Sequence, residues 1–173
     1  MVNLVEALVE KGALKFGDFT LTSGRKSSYY VDLKLAFTDP VLLRRVVERL
    51  IPYTTGVQRL AGTELGAVPL LVALALETDL PYVILRKKAR GHGTGRAYEG
   101  EIRAGEKVLL VEDVATSGGT IQRAAEVLRG EGAQVERAVC VVDREEGAVE
   151  SLREMGVGLE AVLRARDLRS GRP

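Results

Sequence analysis

The sequence predicts an α/β fold in which a central, mostly parallel sheet is flanked by helices. Two observations predict this class. Short apolar runs rich in β-branched residues alternate along the chain with segments of helical spacing, as in parallel sheets with helical crossovers. The apolar run 108–111 also leads, through a small polar turn, into the helical segment 121–129. Strand, turn and helix in this order are typical of such a fold.

Composition indicates one globular domain. A chain of 173 residues is long enough to bury a core, and its 46% apolar and 28% charged residues are usual for globular proteins. The net charge of +1 does not suggest a nucleic-acid partner. No signal sequence and no stretch of ~20 apolar residues is evident, so we expect no membrane partner. The single Cys140 lies in an apolar run, which indicates a core thiol in a reducing, cytoplasmic environment.

The N-terminal third reads as a helix, a hairpin and a second helix. Apolar spacing predicts a helix over residues 2–11 and two short strands over residues 16–21 and 28–33, joined by a turn. The next helix begins at Asp39, a capping acid followed by a proline, and ends near residue 52.

The rest of the chain alternates strands and helices around one irregular stretch. Residues 86–100 contain clustered basic side chains, the only histidine and four glycines, without apolar periodicity. A loop of this length is usually functional or disordered. The predicted strands are 57–61, 81–85, 108–111, 135–143 and 159–163. The predicted helices are 67–77, 121–129 and 148–155, and a polar tail follows.

An acid pair and a small polar turn follow the strand 108–111. Glu112 and Asp113 repel each other and lose solvation there, so they need partners such as sugar hydroxyls or a divalent cation. The turn at residues 116–120 contains two glycines and opens a helix, which predicts an anion site at the helix N-terminus. Ordinary helix capping is the alternative for the turn alone. The spacing is not that of a Walker A loop.

Four stretches of this chain resemble a known family. Val111-Glu-Asp-Val-Ala-Thr-Ser-Gly-Gly-Thr120 resembles the phosphoribosyl pyrophosphate (PRPP) motif of type I phosphoribosyltransferases. Phe16-Gly-Asp-Phe-Thr-Leu-Thr-Ser-Gly-Arg-Lys-Ser-Ser-Tyr-Tyr-Val-Asp32 resembles the N-terminal hood of orotate phosphoribosyltransferases. Arg86-Lys-Lys-Ala-Arg-Gly-His92 and Val142-Asp-Arg144 resemble the mobile loop and the Asp-Arg pair of the same family. The resemblance covers residues 14–147, in order.

This resemblance implies an activity and an organisation. Ribose 5-phosphate would pass from PRPP to orotate, giving orotidine 5′-monophosphate and pyrophosphate in de novo pyrimidine synthesis. Mg²⁺ would act mainly through substrate phosphates rather than through protein ligands. Residues 1–173 would form one phosphoribosyltransferase domain, with a hood at about 14–36 and a mobile loop at about 86–100. The chain would form a homodimer with active sites shared between subunits.

The resemblance also implies the site residues. Catalysis would depend on Lys87, His92, Glu112 and Asp113. PRPP would be bound by the loop basics, the acid pair and the turn, which are Arg86, Lys87, Arg90, His92, Glu112, Asp113, Val114, Ala115, Thr116, Ser117, Gly118, Gly119 and Thr120. Orotate would be bound by Thr116, Arg144, Lys26 and Tyr30. Arg144 suits a planar carboxylate because a guanidinium offers two parallel donors. The ordinary alternative for Arg144 is a surface arginine after a strand, and the ordinary alternative for Tyr30 is a core aromatic residue.

Two positions depart from the family pattern. Thr22 stands where well-known members have a ligand-contacting lysine, a role that Lys26 could take over. Gly66 stands where some members have a lysine near pyrophosphate, so backbone groups of residues 63–66 would contact pyrophosphate instead.

Three other functions fit parts of the sequence. A phosphoribosyltransferase for another base, such as a purine, would not use the hood signature or match Arg144 to a carboxylate. A non-catalytic PRPP-sensing regulator would usually add a DNA-binding module or lose the loop basics, and neither is seen. The third alternative, half of a fused enzyme that makes uridine monophosphate, receives no support from the tail.

Overall fold

The computed structural model of the chain describes residues 3–20, 24, 26–87 and 97–170. Within these residues the helices are α1 (Leu4–Glu10), α2 (Leu33–Phe37), α3 (Pro40–Leu50), α4 (Val68–Thr78), α5 (Gly119–Gly130), α6 (Ala148–Glu154) and α7 (Ala165–Ser170). The strands are β1 (Leu14–Thr20), β2 (Lys26–Val31), β3 (Arg59–Thr63), β4 (Tyr82–Leu85), β5 (Tyr98–Glu99), β6 (Lys107–Ala115), β7 (Gln134–Asp143) and β8 (Gly158–Arg164).

Six strands form the central sheet in the order β5-β4-β3-β6-β7-β8. Strands β4, β3, β6, β7 and β8 are parallel, and only the short β5 runs antiparallel, against β4. The predicted fold class is therefore confirmed. Crossover helices connect the parallel strands, because a parallel pair cannot be joined by a tight turn.

Strand β6 shows how the sheet divides the core. Leu109 and Val111 pack in a cluster with the buried faces of α1, α3 and α4. Val108 and Leu110 pack in a second cluster with α5 and α6. Successive side chains of a strand point to opposite faces, so one uninterrupted apolar run serves both layers.

The N-terminal hairpin is a separate two-stranded sheet. Strands β1 and β2 pair antiparallel, with Leu14 opposite Val31 and an irregularity between Phe16 and Phe19. The prediction that β2 continues to residue 33 is wrong. Asp32 instead begins α2, because its carboxylate accepts a hydrogen bond from the Leu35 amide at 3.2 Å. Helix α2 was not predicted.

Helix starts agree with the capping signals. Asp39 Oδ1 accepts hydrogen bonds from the amides of Val41 and Leu42 at 3.0 and 3.1 Å, and Pro40 follows at the first helical position. Asn3 caps α1 in a capping box with Glu6.

Cys140 is a buried, unpaired thiol as expected. No helix among the described residues is long and apolar enough to span a membrane.

Three further predictions are corrected. Strand β6 continues past residue 111 to Ala115, because β7 pairs alongside it, with Ala115 opposite Asp143. Residues 98 and 99 lie in strand β5 rather than in a structureless loop, because they pair with β4. The polar tail contains α7, whose Leu168 is fully buried. Each correction depends on a partner that is distant in the sequence.

Candidate active site

The carboxyl ends of four parallel strands, β3, β4, β6 and β7, lie at one edge of the sheet. The chain leaves β3 towards β4 on one side, whereas it leaves β6 towards β7 on the other. The crevice between β3 and β6 is therefore the topological switch point, where ligands of open α/β sheets bind. The predicted site residues that follow β4, β6 and β7 all start from this edge.

A cavity of about 150 Å³ lies between the end of β6 and the start of α5. Its lining residues are Glu112, Val114, Thr116, Ser117, Gly118, Gly119, Thr120, Ile121 and Arg123. Helix α5 begins without a side-chain cap, so no side chain satisfies the amides of its first turn. Free amides, hydroxyls and the positive end of a 12-residue helix can hold a phosphate group.

Gly118 shapes the mouth of this cavity. Its backbone is left-handed, with φ of 86°, and a Cβ there would lie 3.3 Å from Leu152 and 3.4 Å from Ala148 of α6. Both the backbone conformation and the contact with α6 favour glycine. Ala115 is buried beneath the turn and does not line the cavity, but its carbonyl accepts a hydrogen bond from the Arg144 amide at 2.9 Å.

The acid pair lies inside the sheet rather than beyond it. Glu112 is only 7% exposed, and its Oε1 accepts a hydrogen bond from the Asp113 amide at 3.2 Å. Burial raises the pKa of Glu112 to about 9, and a hydrogen bond with the Asp113 side chain and the charge of Asp113 add to the rise. The positive charge of Lys87 opposes it. Glu112 is therefore protonated at neutral pH in the ligand-free chain.

This proton makes stability depend on pH. Between pH 4.5 and about 9 the folded chain keeps a proton that the unfolded chain has released, so stability falls as pH rises through this window. Glutamine cannot titrate, so we expect the free energy of unfolding of Glu112→Gln to fall less steeply with pH than that of the parent, by up to about 1.4 kcal/mol per pH unit. Urea unfolding at pH 6 and pH 8 measures it, with Glu126→Gln on the exposed face of α5 as control. Equal pH slopes in Glu112→Gln and the parent would contradict this assignment.

Asp113 packs against the loop that follows β3. Its Oδ1 accepts a hydrogen bond from the Val114 amide at 2.8 Å, and a Cβ placed on Gly66 would overlap its carboxylate. Glycine at position 66 is therefore required by the approach of the loop to the acid pair. The Glu64–Leu65 peptide bond in this loop is cis.

Two carboxylates contact the first residues of the stretch 86–92, which is called the basic stretch below. Arg86 donates two hydrogen bonds to Glu99 Oε1, the one from Nε at 3.1 Å. These bonds hold the pKa of Arg86 above its ordinary value. The Lys87 amide donates to Glu64 Oε1 at 3.1 Å. Arg90 and His92 lie outside the described residues, as does Thr22.

Arg144 lies between the sheet edge and the hood. Its guanidinium is 5.3 Å above the ring of the buried Tyr29, and its Nε is 3.0 Å from Glu146 Oε1. Nε is nevertheless buried without an aligned hydrogen-bond partner among the described residues. Tyr30 is 45% exposed beside Phe19, on the other side of β2 from Tyr29.

Lys26, the remaining predicted orotate ligand, is exposed. Its Nζ donates a hydrogen bond to Thr20 Oγ1 across the hairpin at 2.8 Å. This bond orients Lys26 along the hairpin, and nothing described joins it to Arg144. The predicted orotate ligands therefore stand on two elements, the hairpin and the end of β7.

Several residues at the site were not predicted. Arg123 follows Gly119 by four residues, so helical spacing alone places it on the same side of α5 as the turn. Strand alternation shows that Tyr29 and Tyr30 face opposite ways, but not which of them meets Arg144. Glu64 and Glu99 carried no signal, because their contacts join separate loops.

Comparison with known proteins identifies the family of this chain. Residues 54–161 match the family model of the phosphoribosyl transferase domain. The chain is 46% identical to an orotate phosphoribosyltransferase of Picrophilus torridus, over 96% of this chain and 99% of the relative. It resembles the crystal structure of orotate phosphoribosyltransferase from Aeropyrum pernix with a TM-score of 0.88 and 35% identity, over 97% of both chains.

A longer protein contains a similar unit. The structure of Leishmania donovani UMP synthase matches 95% of this chain with a TM-score of 0.83 and 34% identity, and this chain spans 36% of it. High identity over nearly the whole chain, together with a PRPP-type motif on the expected fold, establishes the family. The chain belongs to the orotate phosphoribosyltransferases, which have the type I phosphoribosyltransferase fold.

Proposed function

We propose that this chain transfers ribose 5-phosphate from PRPP to N1 of orotate, producing orotidine 5′-monophosphate and pyrophosphate. The observation that carries the proposal is the cavity at the end of β6, which the buried Glu112 and the uncapped start of α5 line together. In this assignment the amides and hydroxyls of residues 116–120 hold the 5′-phosphate of PRPP. Glu112 and Asp113 accept hydrogen bonds from the ribose hydroxyls.

The acid pair also serves the chemistry at the anomeric carbon. Cleavage of the bond to pyrophosphate builds positive, oxocarbenium-like charge on the sugar, and negative charge nearby stabilises it. Glu112 is neutral in the ligand-free chain because it is buried beside Asp113. Hydroxyl donors and a cationic sugar favour its ionised form, so PRPP binding should release its proton.

The basic stretch serves the leaving group. Arg86, Lys87, Arg90 and His92 are assigned to the pyrophosphate, whose negative charge grows as the bond breaks. Mg²⁺ would neutralise further charge, held by substrate oxygens, which it prefers to an all-protein cage. Closure of this stretch would exclude water and so limit hydrolysis of PRPP.

Orotate is assigned to the space between the hood and the end of β7. Arg144 is the candidate for the orotate carboxylate, because it follows β7 at the edge of the sheet and its guanidinium offers parallel donors to a planar anion, while Glu146 Oε1 lies 3.0 Å from its Nε. Tyr30 is kept as the sequence-based candidate for the pyrimidine ring, and its exposed ring lies on the face of β2 opposite Tyr29, the tyrosine that contacts Arg144. Lys26 and Thr116 are assigned to the remaining polar groups of the base.

A base-selection assay tests this function. The absorbance of orotate is followed with purified protein, PRPP and Mg²⁺, and parallel samples contain hypoxanthine, adenine or uracil. PRPP-dependent consumption of orotate alone is expected. Turnover of a different base would contradict the assignment of Arg144 to the orotate carboxylate and of the hood to orotate binding. PRPP binding without any turnover would favour a regulatory protein.

The reaction is assigned to the cytoplasm, in keeping with the buried free thiol of Cys140.

We also infer that the chain forms a homodimer through the outer face of α4. Leu65, Val72 and Leu76 are 67%, 39% and 78% exposed, and this helix is apolar all round. A helix of that kind is normally covered on every side. Beside it, a cavity of about 250 Å³ has Arg44 and Glu48 on its α3 wall and Glu77 on its α4 wall. A two-fold axis would bring this patch of one copy against the same patch of the other, where Arg44 of one copy can face a glutamate of its partner.

The position of this face favours active sites shared between subunits. Leu65 adjoins Gly66, which contacts Asp113, so a second copy would lie beside the acid pair. Mixed dimers of His92→Ala and Asp113→Asn test the sharing. If the basic stretch serves the neighbouring subunit, refolded mixtures should recover about a quarter of the parent activity. Mixtures as inactive as either variant alone would indicate that each subunit is self-contained.

Leu76→Glu should convert the dimer to a monomer in sedimentation at micromolar concentration. A buried charge at the centre of an apolar interface costs several kcal/mol unless it is paired. Val149→Glu is the matched control, since Val149 is an exposed apolar residue on α6, on the opposite face of the sheet. A Leu76→Glu protein that remains dimeric would place the interface elsewhere.

A further inference from the structure

The first side chain of the basic stretch is held by an acid that no site assignment includes. Glu99 Oε1 accepts two hydrogen bonds from Arg86, through Nε and Nη2. The Arg86 amide also donates to the Ala97 carbonyl at 2.8 Å. Strand β5 brings Glu99 to this place by pairing with the end of β4, with Glu99 opposite Ile84. Arg86 is thus fixed at both its backbone and its side chain.

The geometry leaves most of the guanidinium available. Arginine has five N–H donors, and Glu99 takes only two of them with a single oxygen. The Arg86 side chain makes no other hydrogen bond to the described residues. Glu99 therefore holds one edge of the guanidinium, while the Nη1 side keeps its donors for another anion. The Arg86 side chain is 17% exposed, whereas Glu99 is 59% exposed and approaches from outside.

Stability alone does not account for this contact. Exposed ion pairs typically contribute little to folding because water screens them and two long side chains lose freedom. Glu101 and Arg103 form such a pair two residues further on, with both side chains about two-thirds exposed. The Arg86–Glu99 contact differs because the arginine side chain is only 17% exposed and opens the stretch assigned to pyrophosphate.

We propose that Glu99 is a positioning residue that orients Arg86 towards the pyrophosphate of PRPP. The proposal rests on the function assigned above. A long arginine side chain without a partner samples many rotamers, and ordering it during binding costs affinity. Glu99 removes part of this cost by holding the guanidinium in advance, with its free donors turned away from the carboxylate. A second acid, Glu64, fixes the backbone of the next residue, because its Oε1 accepts a hydrogen bond from the Lys87 amide.

A double-mutant cycle tests the proposal on the full chain. Glu99→Ala should lower kcat/KM for PRPP about 10-fold, because a misplaced binding group costs one to two orders of magnitude, and should leave KM for orotate unchanged. Glu99→Gln keeps an acceptor oxygen and should fall between the parent and Glu99→Ala. In an Arg86→Ala background the Glu99 substitution should have no further effect, because residues that act through one contact are not additive. Glu101→Ala is the matched control and should behave as the parent.

Each other outcome has a definite meaning. An effect of Glu99→Ala that persists in the Arg86→Ala background would overturn the proposal, since Glu99 would then act without Arg86. An equal fall with Glu101→Ala would also overturn it, by indicating a general charge effect. If Arg86→Ala is fully active, Arg86 does not bind pyrophosphate and the proposal fails with that assignment. A parent protein that does not use PRPP would instead refute the proposed function itself.

Discussion

Lys87→Ala should lower kcat for orotidine 5′-monophosphate formation about 10²- to 10³-fold, the usual effect of deleting one preorganised group that stabilises developing charge. Lys87 starts from the end of β4, where Glu64 fixes its amide, and its charge acts on the buried Glu112. The charge of Lys87 is therefore within electrostatic reach of Glu112, and Lys87 belongs to the stretch proposed to bind the leaving pyrophosphate. Steady-state rates at saturating PRPP and orotate measure the change.

The control for Lys87→Ala is Lys107→Ala, which removes an exposed lysine from the start of β6, the other edge of the sheet. That protein should keep parent activity. The loss should also appear mainly in kcat, because charge on pyrophosphate increases only as the bond breaks. A Lys87→Ala protein whose only change is a higher KM for PRPP would show that Lys87 binds the ground state and transition state equally.

Gly66→Ala should lower kcat/KM for PRPP about 10²-fold, since small displacements of a positioned group are costly in catalysis. An added Cβ would overlap the Asp113 carboxylate, so either Asp113 or the loop at residues 63–66 must move. Both changes disturb the switch point, where the ribose hydroxyls are expected. Overpacking of this kind should also destabilise the fold by roughly 1–3 kcal/mol. Kinetics at 25 °C and urea unfolding measure the two effects separately.

Gly130→Ala is the matched control for Gly66→Ala. It makes the same substitution at the end of α5, where an added Cβ meets nothing within 4 Å and φ is not positive. Alanine there should be neutral or slightly stabilising, because glycine costs helices conformational entropy. If Gly66→Ala is as active as Gly130→Ala, the loop at residues 63–66 can move without disturbing Asp113.

Local chemistry was sufficient to predict most elements of this fold. Alternation of short apolar runs with helical spacing identified the parallel strands, and Asp39-Pro40 identified a helix start, because each signal acts within one turn. The strand–acid–turn–helix segment could be recognised for the same reason. All the residues that line the phosphate cavity lie within one segment of the chain, residues 112–123.

Contacts between distant segments decided what the sequence left open. Strand β6 passes the acid pair because β7 supplies hydrogen-bonding partners as far as Ala115. Glycine is required at position 66 because Asp113 arrives there from another strand. Tyr29 rather than Tyr30 meets Arg144, and Glu99 meets Arg86, only once the hood and β5 have docked.

The sequence by itself therefore indicated the fold class through periodicity, and it indicated the family and the PRPP motif through the resemblance of runs of adjacent residues to known motifs. The tertiary structure alone decided the length of β6, the raised pKa of Glu112 and the partners of Arg86 and Arg144. The physical reason is common to all of these. Burial, close approach and ion pairing depend on the distance between segments in space, and separation along the chain does not specify that distance.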